Sequence, residues 1–172
     1  MKKLNKKKLE GIILHCTATQ ADKSVTVKSV RNWHKARGFS DIGYHFLIGT
    51  KGELWAGRSL EYQGAHTKGH NNAIGVAYCG GVDNYGQPKD TMSDAQEATF
   101  LRLVETLRAG YGKLPILGHN EFSSKACPSF DVIEKFGWEV CLRDDPSTAE
   151  DEADQPEPEG PVQPLDEIVD ED

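Results

Sequence analysis

His119, Lys125 and Cys127 lie within one short stretch, Gly118-His-Asn-Glu-Phe-Ser-Ser-Lys-Ala-Cys-Pro-Ser-Phe130. An imidazole nitrogen and a thiolate sulfur are donor types that borderline-soft Zn²⁺ prefers. Positions 119 and 127 are too far apart for neighbouring turns of one helix. They suit a loop that leaves a strand, curls round a metal and returns. A second imidazole is available at His15, at the end of the short apolar run Ile12-Ile13-Leu14, which has the pattern of a buried strand. Three protein ligands and an open fourth position are the plan of a catalytic zinc site, whereas structural sites close all four.

Such a site makes water a nucleophile near neutral pH. A thiolate ligand donates more charge than an imidazole, so help is expected where negative charge builds on the attacked carbonyl. Lys125 is placed to supply a cation to that oxyanion. Tyr44 is placed to donate a second hydrogen bond or to handle a proton. Tyr44 and His45 are strand neighbours and face opposite ways, so Tyr44 is assigned to the site and His45 to the interior as a satisfied buried histidine. Cys16, adjacent to His15, points to the other face of its strand and is not expected on the same metal. His66 is balanced between a substrate contact and a solvated loop histidine. His70 reads as solvated, Glu121 as a surface carboxylate, and Trp33 and His34 as helix packing.

The elements that must position these groups follow from periodicity and turn residues. Strands are expected over Gly11–Cys16, Gly43–Ile48, Glu53–Gly57, Ala73–Cys79 and Leu114–Leu117, with a hairpin turn at Gly49-Thr50-Lys51-Gly52. A helix capped by Thr26 ends near Gly38, a long amphipathic helix starts at Ser93 and ends at Gly110, and a last one spans about 130–138. Strands alternating with helices predict an α/β fold, a central mixed sheet flanked by helices on both faces.

Net charge is −7 over 172 residues, but it is unevenly spread. Residues 144–172 hold thirteen Asp or Glu, five of the eight prolines and no Lys or Arg. That leaves 20 cations against 14 acids in residues 1–143, a body of +6 suited to an anionic polymer such as a cell wall or a nucleic acid. The division expected is a solvated basic arm over 1–9, a catalytic domain over 10–143 and a disordered acidic, Pro-rich tail over 144–172. Four cysteines are too few for a disulfide framework and are read as reduced. The apolar run after the N-terminal lysines is too short for a signal peptide, and none approaches a membrane span. The expectation is a protein made in the cytoplasm with no membrane anchor, with monomer as the default state.

Four blocks, Ile13-Leu14-His15-Cys16-Thr17-Ala18-Thr19, Arg31-Asn32-Trp33-His34-Lys35, Ile42-Gly43-Tyr44-His45-Phe46 and Lys125-Ala126-Cys127-Pro128-Ser129-Phe130, resemble the zinc-dependent N-acetylmuramoyl-L-alanine amidases. The similarity spans roughly residues 10–138 and is strongest to the small amidase-type phage lysozymes, related to peptidoglycan recognition proteins. It implies an amidase type 2, peptidoglycan-recognition-like fold with zinc on His15, His119 and Cys127 at the floor of a groove. It further implies Tyr44 and Lys125 as catalytic assistants and His66 in the groove loop. The implied reaction is hydrolysis of the amide between muramic acid and L-alanine in peptidoglycan. Without an export signal, a phage or prophage endolysin would reach the wall after holin-type or other release.

Two other readings stay open at this level. A non-catalytic peptidoglycan-recognition or regulatory module would keep the fold, although such relatives typically replace the cysteine ligand. Nucleic-acid binding through the Lys-rich arm is not expected, because no recognised motif follows the arm and the tail is acidic.

Overall fold

The computed structural model describes residues 1–143; the acidic segment 144–172, expected to be disordered, lies outside the described residues. Among the described residues, seven strands and four α-helices are formed. They are β1 (Ile12–Cys16), β2 (Thr19–Gln20), α1 (Val27–Ala36), β3 (Phe46–Ile48), β4 (Leu54–Ala56), β5 (Ile74–Tyr78), β6 (Gly81–Val82), α2 (Asp94–Tyr111), β7 (Ile116–Gly118), α3 (Val132–Phe136) and α4 (Trp138–Cys141).

Five strands make the main sheet in the order β4-β3-β5-β1-β7, and β2 and β6 form a separate parallel pair. Only the β3–β4 hairpin is antiparallel; β3–β5, β5–β1 and β1–β7 are parallel. The sheet is therefore mixed, as the alternation of elements predicted. Strands β1 and β5 are buried along their whole length, which explains why, His15 apart, they are almost wholly apolar.

Helices cover both faces. Ile12, Leu14, Ile74, Val76 and Ile116 pack with Phe100, Leu103, Val104 and Leu107 of α2 on one side, together with Val132 and Cys141. Leu47 and Ala77 pack with Val25, Val30 and Ile42 on the other, under α1. Helix α1 starts where Thr26 accepts a hydrogen bond from the Ser29 N–H, and α2 starts with a capping box between Ser93 and Gln96. The last helix expected is in fact two short ones. Gly137, at φ 81°, takes a backbone conformation that a side chain disfavours and separates α3 from α4.

The N-terminal segment is also corrected. It is not a free solvated arm: Leu4 is buried, its N–H bonds to the Glu61 carbonyl, and Lys6–Lys8 form a 3-10 turn capped by Asn5. The lysines stay exposed while the backbone is pinned to the body. Among the described residues no helix is long and apolar enough to cross a membrane, and the four cysteines are free thiols.

Candidate metal centre and its cleft

Three donors converge at the carboxyl ends of two neighbouring parallel strands, the place where open α/β sheets present their sites. His15 is the fourth residue of β1, and His119 directly follows β7. Leu14 is in register with Gly118, so the next residue on each strand is a histidine. Cys127 arrives from the loop beyond. One donor atom from each of His15, His119 and Cys127 lies within 4.8 Å of the others.

The Cys127 loop is tied at several points. The buried Tyr78 hydroxyl donates to the Pro128 carbonyl at 2.8 Å, the Ser129 hydroxyl to the Gly81 carbonyl at 2.7 Å, and Asn120 Nδ2 to the Phe130 carbonyl at 3.1 Å. The turn carrying His119 is held by Glu121. Its carboxylate accepts from the Gly118 N–H at 2.7 Å and pairs with Arg143 at 2.7 Å. Glu121 is thus a surface-side clasp rather than an unengaged carboxylate.

The three donors fit a bound cation. His15 Nδ1 and Cys127 Sγ are 3.6 Å apart. Tetrahedral Zn²⁺ with ordinary Zn–N and Zn–S lengths separates such atoms by roughly 3.6 Å. Among the described residues, His119 Nδ1 is the one buried side-chain nitrogen or oxygen with no hydrogen-bond partner. A buried imidazole nitrogen without a partner is costly in a folded protein unless something accepts its lone pair. Burial holds both imidazoles below the usual histidine range, with further lowering of His15 by His66 and His119 and of His119 by Lys125. Both are therefore neutral at pH 7, the form in which an imidazole can coordinate a cation. The neighbouring Cys16 thiol and burial push the Cys127 thiol up. The same proximity to Cys127 draws the Cys16 thiol down. A cation beside Cys127 reverses that order, because coordination deprotonates a thiol. The backbone N–H of Cys16 already points at Cys127 Sγ at 3.3 Å.

A cleft of about 390 Å³ opens beside these donors, lined in part by Trp33, His34, Arg37, Tyr44, His119, Lys125 and Cys127. Tyr44 sits with its ring centroid 5.0 Å from that of His15, and burial raises its phenol well above the ordinary range, so it carries its proton at neutral pH. Lys125 is exposed at the rim. His45 is buried as expected, although Tyr44 and His45 precede β3, which begins only at Phe46, so strand alternation is not what orients them; its Nδ1 accepts from the Gly75 N–H at 3.0 Å and its Nε2 faces the Tyr62 carbonyl.

The approach to Tyr44 is fixed by residues with no motif of their own. His34 Nδ1 accepts from the Gly43 N–H at 2.7 Å, and Arg58 Nε donates to the Ile42 carbonyl at 2.8 Å. Gly43 must be glycine there, since a Cβ would stand 2.3 Å from the Ala65 carbonyl oxygen. His34 packs as expected, but Trp33 is 45% exposed and lines the cleft instead of the interior. His66 is placed behind His15, away from the cleft lining, with its Nδ1 3.0 Å from His15 Nε2. His70 is paired with Glu10 at 2.8 Å and stacked near Phe122.

A mixed sheet that gathers two imidazoles and a thiol at its carboxyl edge, beside a tyrosine and a lysine, defines an α/β protein with a candidate metal centre of hydrolytic type. The model of the family described as N-acetylmuramoyl-L-alanine amidase matches residues 5–130, and the chain belongs to that family. It is 41% identical over 131 residues to the endolysin of Escherichia phage T7, across 76% of this chain and 85% of the relative. The solved N-acetylmuramoyl-L-alanine amidase LysC from Clostridium intestinale URNW superposes with a TM-score of 0.68 at 22% identity, covering 84% of this chain and 95% of that one. Drosophila PGRP-LB, solved as a variant in complex with tracheal cytotoxin, superposes with a TM-score of 0.63 at 22% identity, over 74% and 79% of the respective chains. The last two likenesses extend the fold assignment, with helices flanking a mixed sheet.

Proposed function

We propose that this protein is a zinc-dependent amidase of the phage endolysin kind, cleaving the amide between N-acetylmuramic acid and L-alanine in peptidoglycan. The observation that carries the reading is the trio His15, His119 and Cys127, with an unpartnered buried nitrogen on His119, beside a cleft that also holds Tyr44 and Lys125. When bound, a zinc ion would supply Lewis acidity at the coordination position these three ligands leave open.

The chain's own residues supply the rest. The cleft receives the lactyl–alanyl amide with its carbonyl toward Lys125 and Tyr44. The Lys125 ammonium stabilises negative charge as the carbonyl oxygen becomes an oxyanion. Tyr44, protonated at neutral pH, donates a hydrogen bond to the same oxygen or hands a proton toward the departing amine. Exposed Trp33 and Arg37 extend the cleft and give a wall fragment an aromatic face and a cation to rest on. The catalytic domain is assigned to residues 10–143, acting as a monomer on the cell wall after release through a permeabilised membrane.

The family resemblance includes recognition proteins, and the drosophilid peptidoglycan-recognition protein SC1a is 31% identical over 138 residues. Retention of the cysteine donor favours the hydrolytic reading over a purely binding one. Purified wall digested with the zinc-loaded protein should release new L-alanine amino termini, detected by mass spectrometry. Fragments carrying new reducing sugar ends and no such termini would refute the assignment.

A further inference from the structure

We propose that His66 is a positioning residue for the metal centre: it fixes the tautomer and ring plane of His15 so that His15 Nδ1 presents its lone pair to the ion. The inference rests on the metal reading above and gives His66 a different task from the substrate contact expected of a groove loop.

The hydrogen positions follow from a group that only accepts. His66 Nε2 lies 3.2 Å from the Ala73 backbone carbonyl, so that nitrogen carries the hydrogen. In the neutral ring Nδ1 is then the acceptor. His15 Nε2 lies 3.0 Å from it and must be the donor. A neutral His15 with its hydrogen on Nε2 has a free lone pair on Nδ1, the atom 3.6 Å from Cys127 Sγ. The buried Thr67 hydroxyl sits over the same contact, 3.0 Å from His66 Nδ1 and 3.4 Å from His15 Nε2. Donating to the first or accepting from the second, it agrees with the same tautomers. Partners of this sort commonly set the orientation and basicity of a metal-bound imidazole, and losing one weakens metal binding about 10–100-fold.

The fold makes room for this ring. A Cβ on Gly64 would stand 2.1 Å from His66 Cδ2, and one on Gly75 2.4 Å from it, so two glycines clear the slot that the imidazole fills. Asn71 Oδ1 accepts from the backbone N–H groups of both His66 and Thr67, at 2.9 and 3.0 Å. The Ala65 N–H reaches the Gly43 carbonyl at 3.1 Å, which ties the same loop to the segment carrying Tyr44. The rings of His15 and His66 meet edge to face at 82°. That geometry aims a ring-edge hydrogen bond and is not one of simple stacking.

The test compares the full chain with His66→Asn and His66→Leu. The Asn carbonyl oxygen stands near the place of Nδ1 and can still accept from His15; Leu fills volume and accepts nothing. Zinc affinity is read by competition with a chromophoric chelator, and thermal unfolding of the metal-free proteins reports the fold. We expect Leu to weaken zinc binding by about 10–100-fold and Asn to recover most of that loss. Equal affinities in all three proteins, or equal losses in both variants, would overturn the proposal in favour of plain packing. Should a variant not fold, ¹⁵N NMR of the metal-free wild type decides: the hydrogen of His15 should reside on Nε2, and residence on Nδ1 overturns the relay. A wild type with the Nε2 hydrogen but no zinc affinity would instead count against the zinc reading, leaving the relay itself supported.

Discussion

Cys127 and Tyr44 separate two tasks that a single activity assay would merge. Replacing Cys127 by Ser removes the soft donor from a site whose other two donors are neutral imidazoles. Zinc affinity should fall at least about 100-fold and wall hydrolysis with it, while the metal-free variant stays folded, since the loop is anchored by Tyr78, Ser129 and Asn120 rather than by the sulfur. Tyr44→Phe should leave zinc affinity within a few-fold of wild type and lower kcat by about 10²–10³, the usual cost of one well-placed donor to an oxyanion. Chelator competition alongside turnover separates the two outcomes, and a Tyr44→Phe protein that turns over normally would remove Tyr44 from the chemistry. The donors themselves could be found in the sequence because His and Cys are rare and chemically specific. Their supports were hidden: Ala73 acts through a carbonyl, and Gly64 and Gly75 through space, none of which leaves a residue-type signature.

At the scale of elements, the path into the cleft depends on α1 through one histidine. His34 is buried and accepts from the Gly43 N–H, and burial with Arg37 and Arg58 lowers its pKa to about 4. In an unfolded chain the imidazole titrates near the ordinary histidine value of 6.5 and so binds the proton first as pH falls. The stabilising contribution is thus whole above about 6.5 and drains away between there and about 4. Urea unfolding of the metal-free protein from pH 7.5 to 4 should show this loss. His34→Asn, whose side-chain oxygen can still accept from Gly43 without titrating, should flatten the slope by about one proton; an unchanged slope would show that His34 is not the titrating group. Element boundaries were readable where a cap announces them, at Thr26 and Ser93. They failed where backbone conformation decides, as at Gly137, where one positive φ divides a continuous apolar run. The N-terminal lysines misled for a similar reason: charge predicted exposure correctly, but Leu4 and the Glu61 carbonyl set the position of the chain.

For the whole molecule, the two ends of the charge distribution are separable. The matched family region ends at residue 130, and Arg143, the last residue the structure describes, clasps Glu121. The core donors, the cleft and both helical layers all lie before residue 144. A chain cut after Arg143 should therefore keep its zinc affinity and its bond specificity. Its net charge, however, changes from −7 to +6, with thirteen acids removed and no cation lost. Attraction to an anionic wall is screened over about 8–10 Å at physiological salt, so the gain should appear mainly at low ionic strength. We expect the shortened protein to clear wall suspensions faster than the full chain at about 20 mM salt, and the two to converge above about 300 mM. A truncated protein that is slower at every salt concentration, yet equally stable and equally loaded with zinc, would mean that residues 144–172 take part in substrate engagement rather than weakening it by charge.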